Sequence, residues 1–491
     1  MALLSDTFCL GGRKHPSHRV DLTETHIAVQ PASNGAAANA KREESAVVTA
    51  LDDVIGVKLL PDNRSSGAWL HIYSYPRRKS RWGKLDRCRT DRSYFVCSEE
   101  TQEGNMRIGE RWRCAVWSVV RGRRFVPGSL TVPPSRRFLV LINPASGSGN
   151  AQKVYERYVL PMFDMAEVER DVITTERAGH VLELLKKMDI EQLKSFSAIV
   201  IVSGDGLVYE AFNGLMARKD WEAAIQTPIA AIPGGSGNAL VTSILYAAGE
   251  PFTPTCAVFA VLRGEIAPID LATVQSQDKT HYCFLSLTWG LTADVDINSE
   301  NYRFMGNSRF AVSFLSRLVS YPKYRARLYY LPVDDSISEE TGMAGSGDED
   351  KPNAHLLPSL DDSLSEDSGW KCIAGEFITV VGSMLTHLSP TLHIAPSATL
   401  DGGVMYVVVT GGNVSRMKVM KVFTNKSCPD DSVEIYAARA FRLEPDLGEQ
   451  ARQSYMVLDG ERINYGAVQL QVHKGLGRVL ALTTTKERPQ E

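Results

Sequence analysis

The feature that most constrains the fold is a unit that occurs three times between residues 138 and 247: an apolar run, a Gly-rich turn and a helical pattern. Buried strands that alternate with helices are typical of an open parallel sheet, whose ligands bind at the carboxyl ends of the strands. We therefore expect all three turns on one edge of the sheet. The runs and their turns are 138–142 with 143–149, 197–202 with 203–206, and 229–232 with 233–237.

Glycines at the ends of these strands indicate an anion site. Without a side chain, the backbone N–H groups can approach an oxyanion, and the following helix N-terminus adds partial positive charge. The first turn lacks the G-K-[ST] of a P-loop, and no turn forms a full G-x-G-x-x-G. One such turn could serve only to reverse the chain, but three on one edge favour a polyphosphate ligand.

The second turn places Asp205 between Gly204 and Gly206. We expect its carboxylate to be exposed at the strand end, where a general base for attack by a hydroxyl group would be needed. The alternative is that Asp205 forms an Asx-turn, which is common for Asp in such loops. The neighbouring phosphate-type turns favour the catalytic interpretation.

The chain of 491 residues is longer than one hydrophobic core usually supports. Residues 1–50 show no sustained apolar period and are predicted to be a disordered tail. Short alternating patterns at 67–75, 93–97 and 111–119 predict strands in a small basic β-rich domain over 51–132. An α/β domain over 136–262 and a β-rich domain over 263–491 follow. In the latter, the acidic segment 334–368 is predicted to be a disordered insertion whose deletion leaves stability nearly unchanged.

Charge and cysteine content narrow the class of protein. Residues 71–137 hold sixteen Lys or Arg against six Asp or Glu, which suits an anionic lipid surface, nucleic acid or simply a solvated surface. No recognised nucleic-acid motif is present, so we expect no nucleic-acid partner. The eight cysteines show no paired metal-ligand spacing, which predicts a reduced, cytoplasmic protein without a structural metal. We find neither a secretory signal nor a membrane-spanning run, so any membrane association would be peripheral.

Several motifs, in order, resemble those of the diacylglycerol kinase-like fold group and, within it, the sphingosine kinases. The resemblance covers about 138–333 and 376–472. The matching segments are NPASGSGN (143–150), TERAGH (175–180), SGDGLVYEAFNGL (203–215), IPGGSGNAL (232–240), LSLTWGLTADVDINSENYR (285–303), Ala395-Pro396, Asp401-Gly402-Gly403 and LDGE (458–461).

The resemblance implies an ATP-dependent, Mg²⁺-requiring lipid kinase. The α/β domain would bind the nucleotide and the β-rich domain the lipid. Asp205 resembles the base that takes the hydroxyl proton, and the resemblance places Ser203, Gly204 and Gly206 beside the substrate. The residues implied at the nucleotide, its phosphates or its magnesium are Asn143, Pro144, Ala145, Thr175, Glu176, Arg177, Glu210, Gly235, Ser236, Gly237, Arg303, Arg309, Asp459, Gly460 and Glu461. The β-rich segment before the kinase core is compatible with a pleckstrin-homology-like domain.

Substrate choice depends on Asp296, which matches a residue that contacts the substrate in sphingosine kinases. A long-chain base carries an ammonium group, which favours a carboxylate in its pocket. Asp294 and Asp296 would share a face if the segment is extended, and the alternative is that they cap a helix. The SGDG sequence, where diacylglycerol and ceramide kinases usually carry GGDG, favours sphingosine. A ceramide or diacylglycerol kinase and a catalytically silent lipid-binding scaffold remain alternatives, and the oligomeric state stays open.

Overall fold

The computed structural model describes residues 2–10, 17–31, 47–80, 83–128, 130–147, 149–305, 308–333, 352, 355–364, 368–424, 432–448 and 454–482, with the side chains of 303–308 and 422–424 excepted. The chain divides into two compact units. Unit 1 comprises residues 1–136 and 157–169, and unit 2 comprises residues 137–156 and 170–491. Within the described residues, no helix has the length and apolar character needed to span a membrane.

Unit 1 contains a seven-stranded antiparallel sheet in the order β4-β3-β2-β1-β9-β6-β5, a separate hairpin of β7 and β8, and a helix. The elements are β1 (Leu4–Leu10), β2 (Ser17–Leu22), β3 (His26–Pro31), β4 (Val47–Ala50), a 3₁₀ turn (Leu51–Asp53), β5 (Val54–Pro61), β6 (Ala68–Ser74), β7 (Arg77–Lys79), β8 (Leu85–Arg87), β9 (Thr90–Val96) and α1 (Gln102–Val120). The helix α1 packs Trp112, Ala115 and Val116 into the core of the sheet.

Two predictions for this region are wrong. Residues 1–50 were predicted to be a disordered tail. Within them, the strands β1, β2, β3 and β4 pair successively in the sheet and bury Phe8, Val20 and Ile27. Residues 111–119 were predicted to be a strand, but they lie in α1. Trp112, Ala115 and Val116 also fit a helical period, and Thr101 caps the helix by accepting a hydrogen bond from the Gly104 N–H at 3.1 Å.

Unit 2 begins with the predicted α/β pattern. The parallel strands β10, β12 and β13 pair in register, as predicted. The elements of this part of the chain are β10 (Arg137–Ile142), α2 (Ala151–Val154), a π-helical turn (Tyr155–Val159), α3 (Leu160–Met165), β11 (Glu169–Thr174), α4 (His180–Lys187), α5 (Ile190–Lys194), β12 (Ala198–Ser203), α6 (Asp205–Met216), α7 (Trp221–Ala224), β13 (Ile229–Pro233), α8 (Ala239–Ala247) and α9 (Pro254–Arg263). Residues 157–169, which include α3, belong to unit 1.

The β-rich part of unit 2 continues the same sheet. The order β11-β10-β12-β13-β25-β22-β17-β18-β16-β23-β24 links both parts, with β14, β15 and β21 beside this path. The elements are β14 (Glu265–Ser276), β15 (Thr280–Cys283), β16 (Ser286–Gly290), α10 (Leu291–Ser299), a 3₁₀ segment (Glu300–Met305), α11 (Ser308–Ser320), β17 (Tyr324–Pro332), β18 (Lys371–Ser383), β19 (His387–Ser389), β20 (Leu392–His393), β21 (Met405–Gly411), α12 (Arg416–Thr424), β22 (Glu434–Pro445), β23 (Met456–Leu458), β24 (Glu461–Ile463) and β25 (Val468–Ala481).

Residues 355–364, here called the strap, lie against this sheet. Arg442 is fully buried, and its guanidinium donates to the carbonyl oxygens of Ser359 at 2.8 Å and Asp362 at 2.7 Å. Gln469 donates to the Pro358 carbonyl at 2.7 Å. The prediction that 334–368 is a disordered insertion therefore does not hold for the strap, while residues 334–351, 353–354 and 365–367 lie outside the described part of the chain.

We predict that Arg442→Met loosens the strap. The change removes several charge-assisted hydrogen bonds, so local stability should fall by about 3 kcal/mol and chymotrypsin should cleave at Leu356 or Leu360 about a hundredfold faster. The matched control is Arg327→Met, because Arg327 on β17 is exposed and contacts Glu444. Equal cleavage rates in Arg442→Met and the wild type would show that the strap does not depend on this guanidinium.

Candidate functional site

The three Gly-rich turns meet backbone to backbone at the carboxyl edge of the parallel strands. A Cβ atom on Gly235 would lie 2.5 Å from the Cα atom of Gly204, and one on Gly147 would lie 2.9 Å from the backbone nitrogen of Ser236. Such distances leave no room for a side chain. Ser146 ties the first turn to the second, because its Oγ accepts a hydrogen bond from the Gly204 N–H at 3.0 Å.

The third turn, which holds Ser236 and Gly237, is closed by Asn238. This residue adopts the left-handed conformation with a φ of 63°, and its Nδ2 donates to the Gly235 carbonyl at 2.7 Å. The sequence analysis assigned no role to Ser146 or Asn238. A short polar side chain that can bond locally in a Gly-rich turn is the signal that could have identified both.

Asp205 is the first residue of α6 and is buried, not exposed as predicted from the sequence. Its Oδ2 accepts from the Ala239 N–H at 2.7 Å and its Oδ1 from the Leu240 N–H at 3.2 Å, so the carboxylate caps the start of α8. Burial raises the pKa of Asp205, and the backbone N–H donors oppose that rise. A Cβ atom on Gly237 would lie 2.7 Å from Oδ2, so a side chain at this position would collide with the carboxylate.

Asp294 and Asp296 do not share a face, because their segment forms α10 instead of an extended strand. Asp294 is fully buried and pairs with Arg317 at 2.9 Å. It also accepts a hydrogen bond from the Tyr324 hydroxyl. The condition for a shared face, an extended segment, is therefore not met, and Asp294 serves to hold α10, α11 and β17 together.

Asp296 lies among charged groups of the site. Its pKa is raised to about 6, chiefly by burial; the guanidinium of Arg309 opposes this rise, and the carboxylates of Glu300, Glu461 and Asp205 contribute to it. The structure thus brings the predicted residues Asp205, Asp296, Arg309 and Glu461 into one electrostatic environment. At neutral pH the Asp296 carboxyl is mainly ionised.

Arg309 is the buried cation of this environment. It forms an ion pair with Glu300, and its guanidinium carbon lies 4.6 Å from the centre of the Phe310 ring. Its Nε has no hydrogen-bond partner among the described residues. A buried guanidinium with a donor to spare suits an anionic ligand. For Arg303, the other predicted arginine, the side chain lies outside the described residues.

The LDGE motif forms the turn between β23 and β24. The Asp459 carboxylate accepts from the backbone N–H groups of Phe284, Leu285 and Ser286 at 2.8–3.0 Å. Both its oxygens are therefore engaged in positioning the turn, which does not match a direct contact with nucleotide or metal. Gly460 has a φ of 86°, and the exposed Glu461 reaches the second Gly-rich turn, since a Cβ atom on Gly206 would lie 2.8 Å from its Oε1.

The predicted nucleotide side is ordered by Glu210. Its two oxygens accept from the N–H groups of Gly179 at 2.8 Å and Val181 at 3.1 Å, which fixes the turn before α4. Arg177 pairs with Glu183 at 3.0 Å on the surface. The other predicted residues of this edge are Asn143, whose Oδ1 accepts from the Ala145 N–H, the exposed Pro144 and Ala145, the exposed Glu176, and the buried Thr175 and Ser203.

The apolar side chains of unit 2 belong to separate clusters. Leu385 lies in the core of the α/β part, with Leu388 packed against it, whereas Phe314 and Leu318 pack beside α10. Leu315 is exposed. Among the described side chains, no group of three or more His, Cys, Asp or Glu residues is arranged to hold a metal ion.

Comparison with known proteins identifies the family of the chain. Residues 137–274 match the family model of the diacylglycerol kinase catalytic domain. Sphingosine kinase 1 of Rattus norvegicus is 35% identical over 360 residues, which cover 70% of this chain and 90% of that protein. The chain belongs to the sphingosine kinase family. Sphingoid long chain base kinase 4 of Schizosaccharomyces pombe is 30% identical over 71% of this chain and 75% of its own length. Sphingosine kinase 2 of Homo sapiens is 27% identical over 84% of this chain and 82% of its own.

We predict that Gly235→Ala destabilises unit 2. The new methyl group would meet the backbone of Gly204, which cannot move aside as a flexible side chain can, so the unfolding free energy should fall by about 1–3 kcal/mol. Thermal denaturation of Gly235→Ala and of the wild type measures this change. Gly466→Ala is the control, because a Cβ atom there would be 3.7 Å from its nearest neighbour. If both substitutions leave the melting temperature unchanged, the turns are not in tight contact.

Proposed function

We propose that the protein is an ATP-dependent kinase that transfers the γ-phosphate to the primary hydroxyl of sphingosine or a related long-chain base. The observation that carries this proposal is the position of Asp205, a buried carboxylate beside three convergent Gly-rich turns in a member of the sphingosine kinase family. The product would be the long-chain base 1-phosphate.

The nucleotide phosphates would lie over the Gly-rich turns, where backbone N–H groups and the N-terminus of α6 face them. Arg309 would neutralise phosphate charge with its guanidinium. Mg²⁺, when bound with ATP, would offset the charge that develops on the phosphate oxygens. Glu461 fits such an ion, because it is exposed beside Gly206 and Mg²⁺ is usually held by one or two carboxylates together with phosphates.

Asp205 would act as the base. The hydroxyl oxygen of the lipid attacks the γ-phosphorus, its proton passes to the Asp205 carboxylate, and ADP leaves. The N–H groups of Ala239 and Leu240 orient the carboxylate, while burial makes it a stronger base than an exposed Asp.

We predict that Asp205→Asn lowers kcat by about 10²–10⁴ because the proton acceptor is lost. Turnover of sphingosine with Mg-ATP is the measurement, and a cooperative thermal transition together with unchanged ATP affinity would show that the variant is folded, although the loss of one acceptor at the start of α8 should lower its melting temperature. Asp220→Asn is a control, since Asp220 pairs with Arg218 away from the turns. Near-wild-type turnover in Asp205→Asn would refute the assignment, and absence of turnover in the wild type would favour the silent scaffold.

Asp296 would select the lipid by pairing with its ammonium group. We predict that Asp296→Asn raises the apparent KM for sphingosine ten- to a hundredfold, equivalent to roughly 1.5–3 kcal/mol, and leaves the KM for ATP unchanged. A neutral N-acylated analogue such as ceramide should show no such loss. A change in the KM for ATP alone would move Asp296 to the nucleotide side, and faster turnover of ceramide or diacylglycerol by the wild type would favour those alternatives.

The same pairing predicts a pH dependence. The pKa of Asp296 is raised to about 6, so the carboxyl becomes neutral as the pH falls through this value and loses its attraction for an ammonium ion. The KM for sphingosine should therefore rise between pH 7.5 and 5.5 in the wild type and stay flatter in Asp296→Asn.

We further infer peripheral association with anionic membranes. Unit 1 carries the basic stretch 71–137 except for its last residue, and its seven antiparallel strands followed by α1 support the pleckstrin-homology-like assignment. In unit 2, Val319 on α11 and Met417 on α12 are about three-quarters exposed (76% and 75%), next to basic residues of α12 such as Lys418. Cosedimentation with phosphatidylserine vesicles, compared with neutral vesicles, tests this; equal binding to both would contradict it.

A further inference from the structure

Two cysteines of unit 1 face each other across the joint of its sheet. The Sγ atoms of Cys9 and Cys97 lie 3.9 Å apart although the residues are 88 positions apart in the chain. Both are free thiols; Cys9 is partly exposed and Cys97 is exposed. Reagents in solution can therefore reach the pair.

The register of the strands explains this proximity. Cys9 pairs with Phe95 and Leu10 with Tyr94 in the antiparallel ladder of β1 and β9. Continuing this register places Cys97 opposite Thr7, and the Ser98 hydroxyl donates to the Thr7 carbonyl at 3.4 Å. Cys9 and Cys97 are thus diagonal neighbours on one face of the sheet, opposite the face that buries Phe8 and Tyr94.

The sulfur atoms need only a small movement to bond. A disulfide requires about 2.05 Å between them, so they must approach by about 2 Å. Cys97 follows Val96, the last residue of β9, and is outside the strand. Its side chain and backbone can therefore make this adjustment without disturbing the ladder.

We propose that Cys9 and Cys97 form a site of reversible oxidation, at which a peroxide closes a disulfide. The Cys97 thiolate attacks one oxygen of hydrogen peroxide; an S–O bond forms, the O–O bond breaks, and the other oxygen leaves as water after taking a proton. The Cys9 sulfur then displaces the sulfenic oxygen as a second water. Two thiols lose two electrons and two protons, and the peroxide is reduced to two waters.

The exposure of Cys97 and the raised pKa of Cys9 determine which thiol reacts first. Cys97 is exposed, whereas burial and the neighbouring Cys97 raise the pKa of the Cys9 thiol. Since the thiolate is the nucleophile, Cys97 reacts first and Cys9 resolves the sulfenic acid.

The bond would join the two halves of the sheet. In the described chain, β4-β3-β2-β1 and β9-β6-β5 meet at the ladder of β1 with β9, whose register comprises two residue pairs. A covalent link at this joint restricts the unfolded chain over a loop of nearly ninety residues. Oxidation should therefore stabilise unit 1. This inference is independent of the kinase chemistry, which lies in unit 2.

The test uses the full-length protein, reduced, desalted and treated with stoichiometric hydrogen peroxide. Remaining thiols are blocked with N-ethylmaleimide before tryptic digestion without reductant. We expect a cross-linked pair of tryptic peptides, 1–13 and 93–107, that dithiothreitol separates. The melting temperature of unit 1 should rise by roughly 5 °C or more on oxidation and return on reduction.

Cys9→Ser and Cys97→Ser should each abolish the cross-link and the reversible shift. Cys88→Ser, which removes another exposed thiol of unit 1, should keep both. Because the shift is measured between two redox states of the same protein, a change in basal stability of a variant does not obscure it. Sulfinic acid at Cys97 without a cross-link, a cross-link that uses Cys88, or one that joins two chains would overturn the proposal.

Discussion

The contact between the backbones of Gly204 and Gly235 is the constraint on which the site depends. Parallel strands bring their carboxyl ends to one edge, but adjacent strands are only about 4.8 Å apart, so the turns that follow them compete for space. Glycine at 147, 204 and 235 resolves that competition. Once the turns are in contact, Asp205 reaches the first N–H groups of α8, and the second and third turns become one unit.

Three acidic residues of the motifs accept hydrogen bonds from the protein's own backbone. Asp205 caps α8, Glu210 fixes the turn before α4, and Asp459 accepts hydrogen bonds from the backbone N–H groups of residues 284–286. Asp270 likewise accepts from Gly403 and Gly475. Each carboxylate replaces water at backbone donors that would otherwise be unsatisfied. Some residues of such sequence motifs therefore hold the site in shape, and others contact the ligand.

The sequence predicted the α/β half well because the signals there are local. The strands β10, β12 and β13 are continuous apolar runs, and each is followed at once by its turn and helix, whereas the polar strand β11 gave no such signal. The strands β1 to β4 were missed because one face is solvated and their pairing is settled by distant partners, as with Cys9 and Phe95. The helix α1 was misassigned because its apolar residues fit both a helical and an alternating spacing over a short window.

The residues that form the site could be predicted from the sequence, but most of the contacts that they make could not. Asp205, Asp296, Arg309 and Glu461 were identified and share one electrostatic environment, yet the burial of Asp205 and the inward role of Asp459 depend on neighbours far apart in sequence. The strap shows the same limit, since its acidic, aromatic-poor composition suggests disorder, and only the fold brings it to Arg442.

The strand β25 has a consequence for biosynthesis. It pairs in parallel with β13 through Val479 and Ile229, and antiparallel with β14 and β22. As the ribosome delivers the chain, the edge of β13 stays unpaired until some 250 further residues have been added. An open sheet edge is a point of intermolecular pairing. The nascent α/β half therefore exposes this edge until the strand that completes it emerges from the ribosome.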